Sequence, residues 1–233
     1  PGVIADRVPR CRAAMPRSVA LHYAMKANPY HPLLSHVRTL VDGLDVASGG
    51  ELVAALKAGA SGQDISFAGP AKRDHELKAA MASGAAINCE SEGEAERIFA
   101  IAEALSIRPR VAVRVNPDFG IRKSGMAMGG GAKPFGVDAE RVPALVRRII
   151  TAGAEWRGFH IFVGSQALDP EALIEAQRAT VALAPRMAEA ILISSRRTFS
   201  ALTPLGGEFG VRNRIGALPV LLSRAGIAGV RVP

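Results

Sequence analysis

Short apolar runs and amphipathic stretches alternate along nearly the whole chain. The runs at 19–25, 44–47, 65–68, 85–89, 110–115, 158–163 and 202–205 read as strands, many of them apolar on both faces. Parallel strands covered by helices have that character. Between them, 33–41, 51–58, 75–82, 92–105, 139–152 and 170–190 are amphipathic at helical spacing, and 4–15 reads as one more helix ahead of the first strand. Strand then helix, repeated along the chain, predicts a parallel α/β architecture.

Two folds satisfy this pattern, an open doubly wound sheet and a closed (β/α)8 barrel. Lys26, Ser48, Gly69-Pro70, Glu90-Ser91, Asn116-Pro117, Gly164-Ser165 and Gly206-Gly207 each fall at the C-terminal end of a predicted strand. An open sheet gathers its special residues at one switch point, whereas a barrel collects them from the exit of every strand. The pattern therefore predicts a TIM-type (β/α)8 barrel, with a weak eighth strand at 227–232. An N-terminal helix leading into the barrel is expected over 1–18, the barrel itself over 19–210, and a degraded or truncated barrel end over 211–233. The glycine-rich stretch 125–136 reads as a long loop on the same face. It is not a Walker phosphate loop, because Lys133 neither directly follows a glycine nor precedes Ser or Thr.

Composition narrows the class further. With 48% hydrophobic and 21% charged residues the chain is not of the disordered kind. Its two cysteines, Cys11 and Cys89, cannot form a disulfide scaffold. No uncharged apolar run approaches the roughly 18 residues of a spanning helix, so no membrane partner is expected. The chain opens on Pro1 with no charged-then-apolar leader, which suggests a cytoplasmic protein whose natural start lies elsewhere. The formal net charge of +8 comes from scattered positives without aromatic interleaving, which argues against nucleic acid as a partner. The histidines and cysteines show no metal-ligand spacing, and no metal is expected.

Several residues stand out as chemistry. Lys26 follows an apolar and aromatic strand; desolvation there would suit a Schiff-base amine, and a lysine reaching out to solvent is the plain alternative. Gly164-Ser165 and Gly206-Gly207 suit a backbone phosphate cradle or simply tight turns. Arg114, inside an apolar strand, needs an anionic partner, and Glu90 or Asp45 would serve structurally. His160 reads as a strand histidine that packs or hydrogen-bonds.

Eight blocks then fall in order: YAMKANP (23–29), GLDVASGGEL (43–52), FAGPAK (67–72), NCESE (88–92), RVNPD (114–118), FGVD (135–138), GFHIFVGSQ (158–166) and LGGEFG (205–210). Together they resemble the fold-type III pyridoxal-phosphate decarboxylases, the diaminopimelate and ornithine decarboxylase family with the alanine-racemase-like barrel. The resemblance runs from about residue 5 to 210. Its wording is most similar to the diaminopimelate-decarboxylase-like enzymes associated with exosortase or exopolysaccharide gene systems.

The resemblance implies pyridoxal 5′-phosphate as cofactor and an amino acid, diaminopimelate first and another basic or diamino acid second, as substrate. It implies that Lys26 forms the internal aldimine, that Asp45 and Glu51 belong to the cofactor pocket, and that Arg114 lies below the ring. Ser165, Gly206 and Gly207 match the phosphate-binding positions. It also implies a homodimer, in which a C-terminal β domain lends a cysteine and a tyrosine to the partner subunit's site. The departures from the pattern are specific. Phe162 stands where the family has a ring-stacking histidine, and it can stack but not donate a proton. Glu208 replaces the third glycine of the phosphate turn. No Asp or Glu follows Glu208, and the downstream EPGR-type block and the β domain are not in the sequence. The expectation is a pyridoxal-phosphate decarboxylase barrel impaired by truncation. An alanine-racemase-like enzyme and a non-catalytic, regulatory cofactor-binding homologue are the alternatives.

Overall fold

A computed structural model describes residues 2–120, 126–127, 134–165 and 169–199. The expected strands at 202–205 and 227–232, with Gly206, Gly207 and Glu208, lie outside the described residues. Seven strands form one parallel sheet. β1 (His22–Ala24), β2 (Gly43–Val46), β3 (Ile65–Phe67), β4 (Ala86–Cys89) and β5 (Arg110–Asn116) pair in chain order. β6 (Met126–Ala127) stands apart from that sheet, while β7 (Val137–Asp138) and β8 (Glu155–Ile161) both pair with β5. β9 (Gly164–Ser165) pairs antiparallel with β6, so Gly164-Ser165 is ribbon rather than a free loop, and the stretch 125–136 contains a strand.

The helices are α1 (Gly2–Ala14), α2 (His31–Val37), α3 (Gly49–Lys57), α4 (Asp74–Ser83), α5 (Glu92–Leu105), α6 (Val142–Thr151) and α7 (Pro170–Phe199). Their starts follow from local chemistry. Ser48 Oγ accepts the Glu51 N–H at the head of α3, and Ser91 Oγ accepts the Glu94 N–H at the head of α5. Glu76 joins two helix starts: its Oε2 accepts the Arg73 N–H at 2.8 Å and its Oε1 accepts the Gly49 N–H at 2.6 Å. Those backbone donors, Arg73 foremost, hold the Glu76 carboxyl below the usual carboxylate range.

Several expected boundaries move, and at two strands the cause is visible. The first strand is shorter than 19–25, because the Leu21 N–H is taken by the Asp42 carboxylate instead of a neighbouring strand, at 2.6 Å. The β8 strand starts earlier than 158 and ends at Ile161, since Glu155 N–H already bonds Pro109 O and Trp156 pairs with Val111.

The two faces of the sheet differ in kind. Val111, Val113 and Val115 of β5 are 0–2% exposed and pack with Leu77, Ile98, Leu145 and Ile149 of the covering helices. The alternate residues Ala112, Arg114 and Asn116 share the other face. Asp45 pairs with Ala24 and Ser66 in register, Asn88 with Ala112, and Arg114 with His160, so the second face is a polar row. Asn88 Nδ2 donates to Ser66 Oγ across it at 2.8 Å. A parallel sheet with one face covered by helices and an inner face lined with polar side chains is how a (β/α)8 barrel presents its interior. Among the described residues no helix is long and apolar enough to cross a membrane.

Candidate active site

Lys26 sits in a 3-10 turn, Met25–Ala27, directly past the end of β1, with Met25 fully buried beneath it. Lys26 itself is exposed. The expected desolvation is therefore not what this strand end supplies; the turn lifts the side chain clear of the core. Its Nζ lies 4.8 Å from the centre of the Phe162 ring, and among the described residues it makes no ion pair or hydrogen bond. The amine is available.

Arg114 approaches the same ring. Its guanidinium carbon lies 5.9 Å from the Phe162 ring and 4.9 Å from Phe135. Phe135 precedes Gly136, whose φ of +76° and tight approach to Arg114 O and Asn116 N leave no room for a side chain. Of the two carboxylates proposed as its partner, Glu90 is the one. Arg114 Nη1 donates to both Glu90 oxygens at 3.0 Å, and both residues are buried. The Glu90 carboxylate also accepts the Gly69 N–H, tying the exits of β3, β4 and β5 together.

Asp45 is engaged elsewhere. His22 Nδ1 stands 3.4 Å from Asp45 Oδ1, and that carboxylate raises the imidazole above its ordinary pKa. Glu51 turns back on the chain, its Oε2 accepting the Ala47 N–H at 2.6 Å. His160, register partner of Arg114, has an Nδ1 that is buried without a hydrogen-bond partner among the described residues. Burial, reinforced by the Arg114 charge, drops its pKa to about 4, so the ring is neutral at neutral pH.

Sequence reasoning passed over Lys72. It is 3% exposed and its ammonium spends all three donors, on Gly69 O at 2.7 Å, Asn88 O at 2.8 Å and Glu94 Oε1 at 2.8 Å. Glu94 in turn accepts the Glu90 N–H through Oε2 at 2.8 Å. The only signal was the FAGPAK block itself, which places a lysine five residues past a buried phenylalanine.

An exposed amine over an aromatic face, with a fixed guanidinium near the same ring, is suited to an aldehyde carried on an aromatic ring. The family model for the pyridoxal-binding domain of the pyridoxal-dependent decarboxylases matches residues 2–219. This chain belongs to that family. Its cofactor is accordingly pyridoxal 5′-phosphate, and the unpartnered Lys26 amine fits it. The chain is 33% identical over 196 residues to the L-glutamyl-[BtrI acyl-carrier protein] decarboxylase of Niallia circulans, covering 83% of this chain and 45% of that protein. It is 32% identical over 202 residues to the diaminopimelate decarboxylase of Campylobacter jejuni, covering 84% and 48%. Among solved structures, the Helicobacter pylori diaminopimelate decarboxylase complexed with L-lysine superposes with a TM-score of 0.72 at 29% identity, over 80% of this chain and 48% of that one. The chain thus spans about half the length of the curated relatives it matches. Ser165 lies in the β9 ribbon, while Gly206 and Gly207, the other residues expected at the phosphate, lie outside the described residues of this decarboxylase-family barrel.

Proposed function

We propose that this chain is the cofactor-binding barrel of an amino-acid decarboxylase that acts on diaminopimelate or a related diamino acid. Such a reaction removes the α-carboxylate as carbon dioxide and puts a proton in its place. The observation that carries the reading is the Lys26 amine, exposed, without a hydrogen bond or ion pair among the described residues, and 4.8 Å from the centre of the Phe162 ring. Bound pyridoxal phosphate supplies the electron sink for the charge left at the α-carbon, and that chemistry is the cofactor's own.

The protein's residues do the rest. Lys26 supplies the amine that holds the cofactor covalently. Phe162 offers a flat apolar face and no proton, so in this chain proton transfer falls to other groups. Arg114, fixed by Glu90, keeps a permanent positive charge within 5.9 Å of that ring. Asp45 on β2 and Glu51 at the start of α3 are assigned to the cofactor pocket on the family resemblance. Ser165, Gly206 and Gly207 are assigned to the phosphate. A diamino-acid substrate is supported by the relatives, several of which are named diaminopimelate decarboxylases, one of them solved with L-lysine bound.

The test is chemical trapping. Incubation with pyridoxal 5′-phosphate, reduction with borohydride and peptide mapping should locate one adduct, on Lys26. An adduct of equal yield in Lys26→Ala, or one mapped to another lysine, overturns the assignment.

A further inference from the structure

Lys72 is 3% exposed, yet its bonds lead to the site. Its ammonium clasps Gly69 O and Asn88 O, fixing the exits of β3 and β4 to each other. Its third bond goes to Glu94, on the first turn of α5. The other oxygen of Glu94 takes the backbone N–H of Glu90, and the Glu90 side chain grips Arg114 through both oxygens. Gly69 closes the circuit, since its N–H donates to Glu90 while its carbonyl accepts from Lys72. Gly69 has a φ of +134°, and a side chain there would press on Ala47 O at 3.0 Å. Two cations and two carboxylates are enclosed together, and their formal charges cancel. All four residues are at most 7% exposed.

A buried ion pair is weak grounds for stability, because desolvation offsets most of the attraction. What such a pair does well is hold groups in one arrangement once every donor and acceptor is satisfied. Here the arrangement ends on the guanidinium that lies 5.9 Å from the Phe162 ring. We propose that Lys72 is a positioning residue for the cofactor site: with Glu94 it fixes the backbone and side chain of Glu90, and so the place of Arg114 beside the ring that Lys26 also faces. The role rests on the reading that this face binds pyridoxal phosphate.

Two readouts on the full chain separate this proposal from that reading. The first needs no cofactor: the Arg114 Nε–H resonance, assigned by its loss in Arg114→Lys, reports whether the guanidinium is held. The second is the dissociation constant and induced circular dichroism of bound pyridoxal 5′-phosphate. Lys72→Met alone leaves Glu94 buried without its partner and invites misfolding, so the decisive variant is Lys72→Met combined with Glu94→Gln, which removes both charges. In that folded variant the Arg114 Nε–H should exchange with water about tenfold faster or more. The cofactor should bind about tenfold more weakly, equivalent to about 1.4 kcal/mol, with its induced dichroism reduced. Arg110→Met is the control. Arg110 bonds Gln63 O and Gly84 O at the opposite end of the same strand, so its loss loosens the barrel without touching the site. It should leave the Arg114 signal and the bound-cofactor spectrum as in the parent. An unchanged Arg114 resonance in the double variant overturns the proposal, as does an equal effect from Arg110→Met. Failure of the unaltered chain to take up cofactor would overturn the function reading alone, since the Arg114 resonance still decides this one.

Discussion

Lys26 and Lys72 both follow a strand of the same barrel by a few residues, and the fold treats them in opposite ways. Lys26 is exposed, with the Phe162 ring 4.8 Å from its amine. Lys72 is buried and bonds three acceptors drawn from the exits of two strands and the start of a helix. A nucleophilic amine must have a lone pair to give, and an ammonium whose three protons are all engaged has none free. The pair shows how one residue type is divided between chemistry and architecture by what surrounds it, a turn that projects outward in one case and a loop that folds inward in the other.

The largest test of that division is to delete each lysine in turn. Lys72→Ala leaves the Glu94 carboxylate buried without a counter-charge, at a cost of about 3–5 kcal/mol of unfolding free energy in a urea titration. Lys26→Ala should leave the urea midpoint where it was and remove the borohydride-trapped adduct. If Lys26→Ala were the destabilising variant, the division would be reversed.

Next comes the link between the two. Glu90→Gln keeps the shape of the side chain but cannot balance the Arg114 charge that both Glu90 oxygens now meet. It should cost about 1–3 kcal/mol by the same titration. The loss should shrink when Arg114→Met is added, because the two residues form one contact. Additive costs would mean that Glu90 serves Gly69 alone.

On the exposed side the effects are smaller. Phe162→Leu removes the ring face under the Lys26 amine while keeping apolar bulk. Cofactor binding should weaken about 2–5-fold, the worth of an exposed cation–π contact of about 0.5–1 kcal/mol. A loss as great as that of the Lys72 and Glu94 double variant would show that the exposed lysine depends on its surroundings as heavily as the buried one.

Much of this division was legible before any coordinates. The helix expected at 92–105 is α5 residue for residue, because Ser91 caps it and its apolar residues Ala95, Ile98, Ile101 and Ala102 recur at helical spacing. The polar strand exits located the rim, and Arg114 found one of its two expected carboxylates. Lys26 stands open there between a desolvated amine and one reaching out to solvent, since a strand pattern says nothing about a 3-10 turn that carries the next residue outward. Two features escaped. Lys72 follows Gly69-Pro70, a loop signal, and its three acceptors lie 3, 16 and 22 residues away in the chain. Such burial is decided by tertiary closure and has no local trace. The late start of β1 is of the same kind, set by an aspartate 21 residues on that takes the Leu21 N–H.

The smallest effect tests the exposed side by pH. His22 Nδ1 and Asp45 Oδ1 are 3.4 Å apart with 30% and 47% of their side chains exposed, where Lys72 and Glu94 show 1% each. The Asp45 carboxylate raises the His22 pKa above its value in the unfolded chain. A raised histidine stabilises the fold fully below its unfolded pKa of about 6.5 and loses that contribution as pH rises through the folded value. His22→Gln should therefore be less stable than the parent at about pH 5.5, by under about 1 kcal/mol, and the gap should close toward about pH 8. Added salt should narrow it further, since a half-exposed pair is screened. The Lys72–Glu94 pair, with 1% of each side chain exposed, should show no response to salt. A His22 gap that stayed constant with pH would mean that the ring acts by packing, and that the contrast between enclosed and exposed charge is confined to the two lysines.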